Sequence, residues 1–266
     1  MSISVYDDTI VITNMSNKQS ISVISDINKI FSDRFDKNLF AIISVGSLTT
    51  AHYRESWSDI DILVVLEQIY LSEKESVSEL KSILEKKYGK KFGINVITKH
   101  EALRPSFPEI LLDGKTLQGL LDLSIYPERL IYCKQKEVTF FVPNNKTIRK
   151  YSLSNIAMFL KRNRKALISE QHTEINRLKA TAEREIRASF IMTKLAIQYK
   201  SGRNCHSYGE IIKRAKSLFL NFDFLNLNRM DKMIKHWNQT KSKKDLVYAL
   251  NCADDYIESF ARLIFK

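Results

Sequence analysis

Cysteine is scarce in this chain: Cys133, Cys205 and Cys252 are spread over 266 residues. None forms a Cys-x-x-Cys pair, which excludes a zinc ribbon or a dithiol redox motif and points to a reduced, cytoplasmic protein. Only 7 glycines and 4 prolines occur, too few for long flexible or proline-rich linkers. No apolar run approaches the roughly 18–20 residues of a membrane helix, so no membrane partner is expected. Met1 to Asn14 carries Asp7 and Asp8, with no basic residue before Lys18, unlike a secretory signal. What remains is a hydrophobic content of 44%, enough for an ordinary core, in a length that fits one large domain or two modest ones.

Acidic residues are also lacking, but only in one half. Residues 1–140 are close to neutral, whereas residues 141–266 hold 25 Lys+Arg against 11 Asp+Glu. Such asymmetry marks a boundary between parts with different partners. The clusters are Lys161-Arg162-Asn163-Arg164-Lys165, Arg184 with Arg187, Lys213-Arg214 with Lys216, and Lys241-Ser242-Lys243-Lys244. Each reads as a phosphate-binding patch or as the solvated face of a helix.

The hydrophobic pattern changes period along the chain. Residues 1–13 read as a short hairpin or irregular arm. Ile21, Ile24, Ile27, Ile30 and Phe31 recur at helical spacing. Leu39 to Val45 and Ile62 to Leu66 are apolar runs of strand length. Ser72 to Lys90 predicts a helix with Val77, Leu80, Ile83 and Leu84 as its stripe and Gly89 as its left-handed end. Phe92 to Thr98 predicts a third strand, Leu111 to Leu123 a helix, and Glu137 to Val142 one more strand. After Pro143-Asn144-Asn145 only helical periodicity remains: Ile175, Leu178, Ala182, Ile186, Phe190, Thr193 and Ile197, then Leu246, Leu250, Ala253, Ile257, Phe260 and Ile264 behind a Ser242-x-x-Asp245 start signal. The expected fold is α+β: an α/β domain with a mixed sheet over residues 1–143, then a basic helical bundle over 144–266.

Between the first two strands stands the most informative motif. Gly46-Ser47 ends one apolar run, ten residues follow, and Ser58-Asp59-Ile60-Asp61 opens the next. Residues i and i+2 of a strand share a face, so Asp59 and Asp61 project together, ~6–7 Å apart along the chain. Two carboxylates beside a Gly-Ser turn suit a divalent metal and a triphosphate. Either pair alone also reads as a turn or cap.

The segment Val45 to Val65 resembles the signature of the DNA polymerase β-like nucleotidyltransferase superfamily, and looks most like its bacterial antibiotic and small nucleotidyltransferases, which often carry a C-terminal helical domain. The resemblance implies that Asp59 and Asp61 bind Mg²⁺ as metal-ligating catalytic residues. It implies that Gly46 and Ser47 hold the triphosphate of ATP or another NTP, helped by backbone N–H groups near Leu48 and Thr49 at the start of a following helix. Arg54, between the motif halves with His52 and Tyr53, suits a phosphate contact. Ser58 belongs with these nucleotide-binding residues and orients the turn into the strand. The family usually supplies a third carboxylate from the next strand, where the resemblance matches Asn95 of this chain, a residue that cannot take a proton near pH 7. Glu101, just past that strand, is the candidate catalytic replacement, or else a capping carboxylate; Asp113 is another.

The implied activity is metal-dependent transfer of a nucleoside monophosphate from an NTP to an acceptor hydroxyl, in a cleft between the two halves, with release of pyrophosphate. The basic half ranks neutral or anionic acceptors, a small molecule or an RNA end, above polycationic aminoglycosides. The alternative is a nucleotide- or RNA-binding regulatory module whose active site lacks the third carboxylate. Arg203-Asn204-Cys205-His206-Ser207-Tyr208 reads as a polar break that either lines a cleft through His206 and Tyr208 or is a capped loop with a packed tyrosine.

Overall fold

The structure is a computed structural model that describes residues 3–4, 18–49, 57–104, 114–169, 174–237 and 242–266. The chain divides into two compact units, Met1–Asn144 and Asn145–Lys266.

In the first unit, α1 (Lys18–Phe35) leads into β2 (Leu39–Val45), and β3 (Ile60–Leu66) follows antiparallel to it. Helix α2 (Leu71–Tyr88) returns the chain to β4 (Phe92–Thr98), which lies parallel to β3. A short α3 (Lys99–Leu103), α4 (Gly114–Ile125) and β5 (Leu130–Cys133) complete the main elements. Among the described residues the sheet order is β4-β3-β2-β5, a mixed sheet with one parallel pair. The strand expected over 137–142 is limited to β6 (Glu137–Val138), which pairs with β1 (Ile3–Ser4). Nothing in the local pattern had marked β5, whose four residues are too few to show a period.

One face of the sheet carries Ile60, Ile62, Val64 and Leu66, buried against α1 through Ile24, Ile27 and Phe31 and against α2 through Val77, Leu80 and Leu84. Ile83, expected in the same stripe, is instead 53% exposed. The three buried positions of α2 already span two turns on one face, and residue 83 falls at its margin. Helix α2 ends at Gly89 in the left-handed conformation, as its sequence predicts. The opposite sheet face meets α4, whose Gly119 lies close against Val45 and Leu63.

Asp26 joins α1 to α2. Hydrogen bonds from Lys87 and from the Tyr88 hydroxyl hold its carboxyl below the usual range, the lysine contributing most. A depressed folded value contributes stability above the unfolded value near ~4 and loses it as pH falls through the folded value. The stability difference between wild type and Asp26→Asn is therefore expected to be present at pH 7 and to shrink toward zero below about pH 4, as measured by urea unfolding across pH.

The second unit is helical: α5 (Asn145–Ser169), α6 (Ile175–Ser201), α7 (Tyr208–Leu218), α8 (Leu225–Lys235) and α9 (Lys243–Ile264). The predicted stripes of α6 and α9 form its core. Leu178, Ala182, Ile186, Phe190, Thr193 and Ile197 are buried, as are Leu246, Leu250, Ala253, Ile257 and Phe260. The outer ends of the two stripes differ: Ile175 is exposed and Ile264 half-buried. Ser242 caps α9 by accepting from the Asp245 N–H. Tyr256 is buried with its hydroxyl 2.6 Å from Thr193 Oγ1, and burial raises its pKa.

Candidate active site

Three chain segments meet at one end of the sheet. Strand β2 finishes at Val45, which pairs with Asp61 near the start of β3, and Asp61 in turn pairs with Gly93 near the start of β4. The Gly46-Ser47 turn and the Asp pair, ten residues and more apart in sequence, thus lie at the same sheet edge. Asp59 and Asp61 are both half-buried.

The turn after β2 is held from two sides. Gly46 has φ +91°, a conformation that a side chain disfavours. Leu48, two residues on, is fully buried in the core against α1 and α2. From the other side, Arg129 Nη1 donates to the Gly46 carbonyl at 2.7 Å. Arg129 is only 1% exposed and forms an ion pair with the equally buried Asp122 at 3.6 Å. Gln118 Nε2 donates to the other oxygen of Asp122 at 2.6 Å. Leu48 and Thr49 lie in a turn. Arg54, His52, Tyr53 and Asp113 fall outside the described residues.

Asp61 lies over Gly93. A Cβ built on Gly93 would overlap the Asp61 carboxylate and come within 2.8 Å of Lys115 Nζ. Lys115 donates to Asp61 Oδ1 at 2.5 Å. It stands one turn before Gly119 on α4, so the close seating of Gly119 on β2 directs the Lys115 face of the helix toward the carboxylate. Neither Gly93 nor Lys115 was legible as a site residue. A glycine in a strand reads locally as a weak point, and the lysine is brought in by packing. Gly93→Ala is expected to displace the Asp61 carboxylate with at most a few degrees' loss of melting temperature, measured by thermal unfolding.

Residues Asp59, Asp61, Gly93 and Lys115 line a cleft of about 550 Å³, with Lys90 and Lys91 on its wall. Glu101 is not part of that lining. It completes a capping box at the start of α3: Glu101 Oε2 accepts from the Thr98 N–H at 2.7 Å and from the Thr98 hydroxyl at 2.8 Å, while the Glu101 N–H donates back to Thr98 Oγ1. Asn95 pairs with Leu63, two residues further along the strands than the Asp61–Gly93 pair, and its amide donates to Thr116 Oγ1 at 3.5 Å. The β4 position beside Asp61 is thus Gly93. Ser47 and Ser58 are half-buried on either side of the motif loop.

Among the described residues no group of three or more His, Cys, Asp or Glu is placed to hold a metal ion. The donor set fits Mg²⁺ in another way, because that ion is usually bound through one or two carboxylates completed by substrate phosphates and water. The ammonium on Asp61 Oδ1 marks a position that already receives a cation.

In the second unit, several expected phosphate-binding arginines have carboxylate partners. Arg164 makes a two-pronged contact with Glu258, at 2.6 and 2.8 Å, which holds the glutamate carboxyl below its usual range. Arg184 bonds the buried Glu185 at 2.8 Å, and Arg214 pairs with Glu210 at 2.8 Å. Ser207 caps α7, Glu210 accepts from the His206 N–H, and the Tyr208 ring packs on Phe190 at 4.1 Å between centroids. The 203–208 segment therefore has the hydrogen bonds of a capped loop with a packed tyrosine.

The class defined so far is an α+β protein with a mixed sheet and an acidic pair at one sheet end, followed by a helical unit. No family model matches the chain, and no curated protein matches it in sequence. Among solved structures it is similar to spectinomycin adenyltransferase AAD(9) from Enterococcus faecialis, crystallised with ATP and spectinomycin. The TM-score is 0.48 at 12% identity, over 90% of this chain and 99% of that one. The functional reading rests on the site's own residues. No helix among the described residues is long and apolar enough to cross a membrane.

Proposed function

We propose that this chain is a metal-dependent nucleotidyltransferase that moves a nucleoside monophosphate from an NTP to an acceptor hydroxyl. The observation that carries the reading is the position of Asp61: one strand away from the Gly46-Ser47 turn, two residues from Asp59 in sequence, with its carboxylate receiving a cation above Gly93. Gly46 and Ser47 would bind the triphosphate, with Ser58 ordering the turn into β3 and Arg54 as a further phosphate contact. Asp59 and Asp61 would hold Mg²⁺, which when bound neutralises phosphate charge and polarises the reacting phosphorus. Lys115 then has two roles to play in sequence. It balances Asp61 without metal, and it turns its ammonium to phosphate oxygens once the carboxylate is engaged. The acceptor hydroxyl attacks the α-phosphorus in line as its proton passes to solvent, the bond to the bridging oxygen breaks, and pyrophosphate leaves. Glu101 could serve as the base only by leaving its cap at α3.

A second reading, a nucleotide-binding module without turnover, is favoured by one feature: Gly93 occupies the β4 position beside Asp61, so no carboxylate stands there. The test is transfer of label from each α-³²P-NTP with Mg²⁺ into total RNA and a metabolite extract, beside Asp59→Ala. A labelled product lost in the variant is the expected result. No product, with Mg²⁺-dependent NTP binding that the variant loses, would replace the transferase by the binding module.

A further inference from the structure

The Gly46-Ser47 turn needs more than its own sequence to hold one shape. Gly46 sits at φ +91°, a region that glycine enters about as readily as others. The residue permits the turn without specifying it. Two anchors outside the turn do so. Leu48 is fully buried on one side. On the other, β5 runs antiparallel to β2 with Leu130 opposite Ile43, which carries Arg129 alongside the last residues of β2. A short turn, Pro127–Arg129, follows α4, and the Arg129 N–H donates to the Tyr126 carbonyl at 3.1 Å. The guanidinium lies 5.7 Å from the Tyr126 ring centroid and donates to the Gly46 carbonyl at 2.7 Å.

A peptide unit is planar, so a donor on the Gly46 carbonyl fixes the whole Gly46–Ser47 peptide, including the N–H on its far edge. Asp122 on α4 holds the guanidinium at 3.6 Å and is itself held by Gln118. Gly119, on the same helix, seats α4 on Val45, the residue before Gly46. The series Gln118, Asp122, Arg129 thus ties the turn to the helix that also brings Lys115 onto Asp61. Burying both charges costs desolvation that a well-packed apolar pair avoids. The ion pair is therefore poorly explained as a source of stability alone. It is well explained as a device that sets one backbone direction.

We infer that Arg129 is a positioning residue for the phosphate-binding turn: its bond to the Gly46 carbonyl, backed by Asp122, holds the Gly46–Ser47 peptide in the conformation that receives the triphosphate. The inference rests on the proposed transferase reading and deepens its nucleotide site. Because it is buried, Arg129 acts through the backbone of the turn. A merely structural arginine would change the melting temperature and leave phosphate affinity where it is.

The test uses the full chain and two variants. Arg129→Met/Asp122→Leu lacks the bond to Gly46, whereas Asp122→Asn weakens the ion pair and keeps the guanidinium. Binding of MgATP and of magnesium tripolyphosphate is measured, with thermal unfolding and with backbone hydrogen exchange over residues 45–49 of the unliganded protein. The double variant is expected to bind both ligands at least ~10-fold more weakly, by like factors, the worth of one hydrogen bond from a charged donor. It is also expected to exchange faster over residues 45–49, with β3 unchanged. Asp122→Asn is expected to melt lower yet bind both ligands within about twofold of wild type. Affinities within about twofold in the double variant overturn the inference. So do losses in both variants that follow their melting temperatures, or a loss for ATP that tripolyphosphate does not share. A wild type that binds neither ligand fails the transferase reading, and exchange still decides the role of Arg129. Unchanged exchange over residues 45–49 then overturns that role, and faster exchange in the double variant alone keeps it.

Discussion

Replacing Asp61 by Asn is expected to lower nucleotidyl transfer by ~10³-fold or more, while the melting temperature changes by only a few degrees. Asn keeps the shape and one carbonyl oxygen but removes the negative charge that would hold a divalent cation. Metal activation of phosphoryl transfer is worth several kcal/mol, and each ~1.4 kcal/mol is a factor of ten in rate. The stability change is small because Lys115, the partner of Asp61, is 55% exposed in its side chain and can turn to water. Label transfer from α-³²P-ATP, thermal unfolding and Mg²⁺-dependent ATP binding measure the three quantities separately. A variant that transfers label within tenfold of wild type would rule out the role assigned to this carboxylate. Lys115→Met gives the complementary result: loss of rate with retained or tightened Mg²⁺ binding, because the ammonium competes with metal for Asp61 Oδ1.

Arg129→Met is expected to cost ~3–5 kcal/mol of stability, the largest effect among substitutions away from the Asp pair. Arg129 and Asp122 are each 1% exposed, so removing the guanidinium leaves a carboxylate buried without its counter-ion. The lost hydrogen bond to the Gly46 carbonyl adds to this. For a chain of this size the melting transition should fall by on the order of 10 °C. Arg129→Met/Asp122→Leu should recover part of the loss, because removing both charges also removes their desolvation cost. The double variant still lacks the bond to Gly46. Its residual activity therefore reports how far the turn depends on Arg129: a recovered melting temperature with lowered nucleotide affinity is expected. A single variant within ~1 kcal/mol of wild type would show that the pair contributes little.

These two predictions differ in how far their residues could be read before folding. Asp61 stands in a local pattern, a carboxylate two residues from another at the mouth of an apolar strand. Strand geometry alone puts the two on one face. Arg129 stands in Tyr126-Pro-Glu-Arg129, a stretch without period, and its importance comes from Gly46, 83 residues earlier. Glu101 shows the reverse case. Its proximity to the strand end suggested chemistry, but Thr98 three residues before it forms a reciprocal cap that engages its carboxylate. The local pattern Thr-x-x-Glu was sufficient to read that cap.

What the amino-acid order determined by itself is the set of features that depend on near neighbours. The helices α1, α2, α6 and α9, the strands β2 to β4, the Gly89 and Ser242 helix ends and the shared face of Asp59 and Asp61 all follow from periods of two or 3.6 and from capping chemistry within a few residues. Tertiary structure alone decided what surrounds the acidic pair. Sheet order set β4 beside β3, register put Gly93 rather than Asn95 next to Asp61, and the seating of α4 on β2 brought Lys115 onto the carboxylate. Those contacts join segments separated by tens of residues. They arise when burial of whole helix and sheet faces selects one packing, which no single local segment specifies.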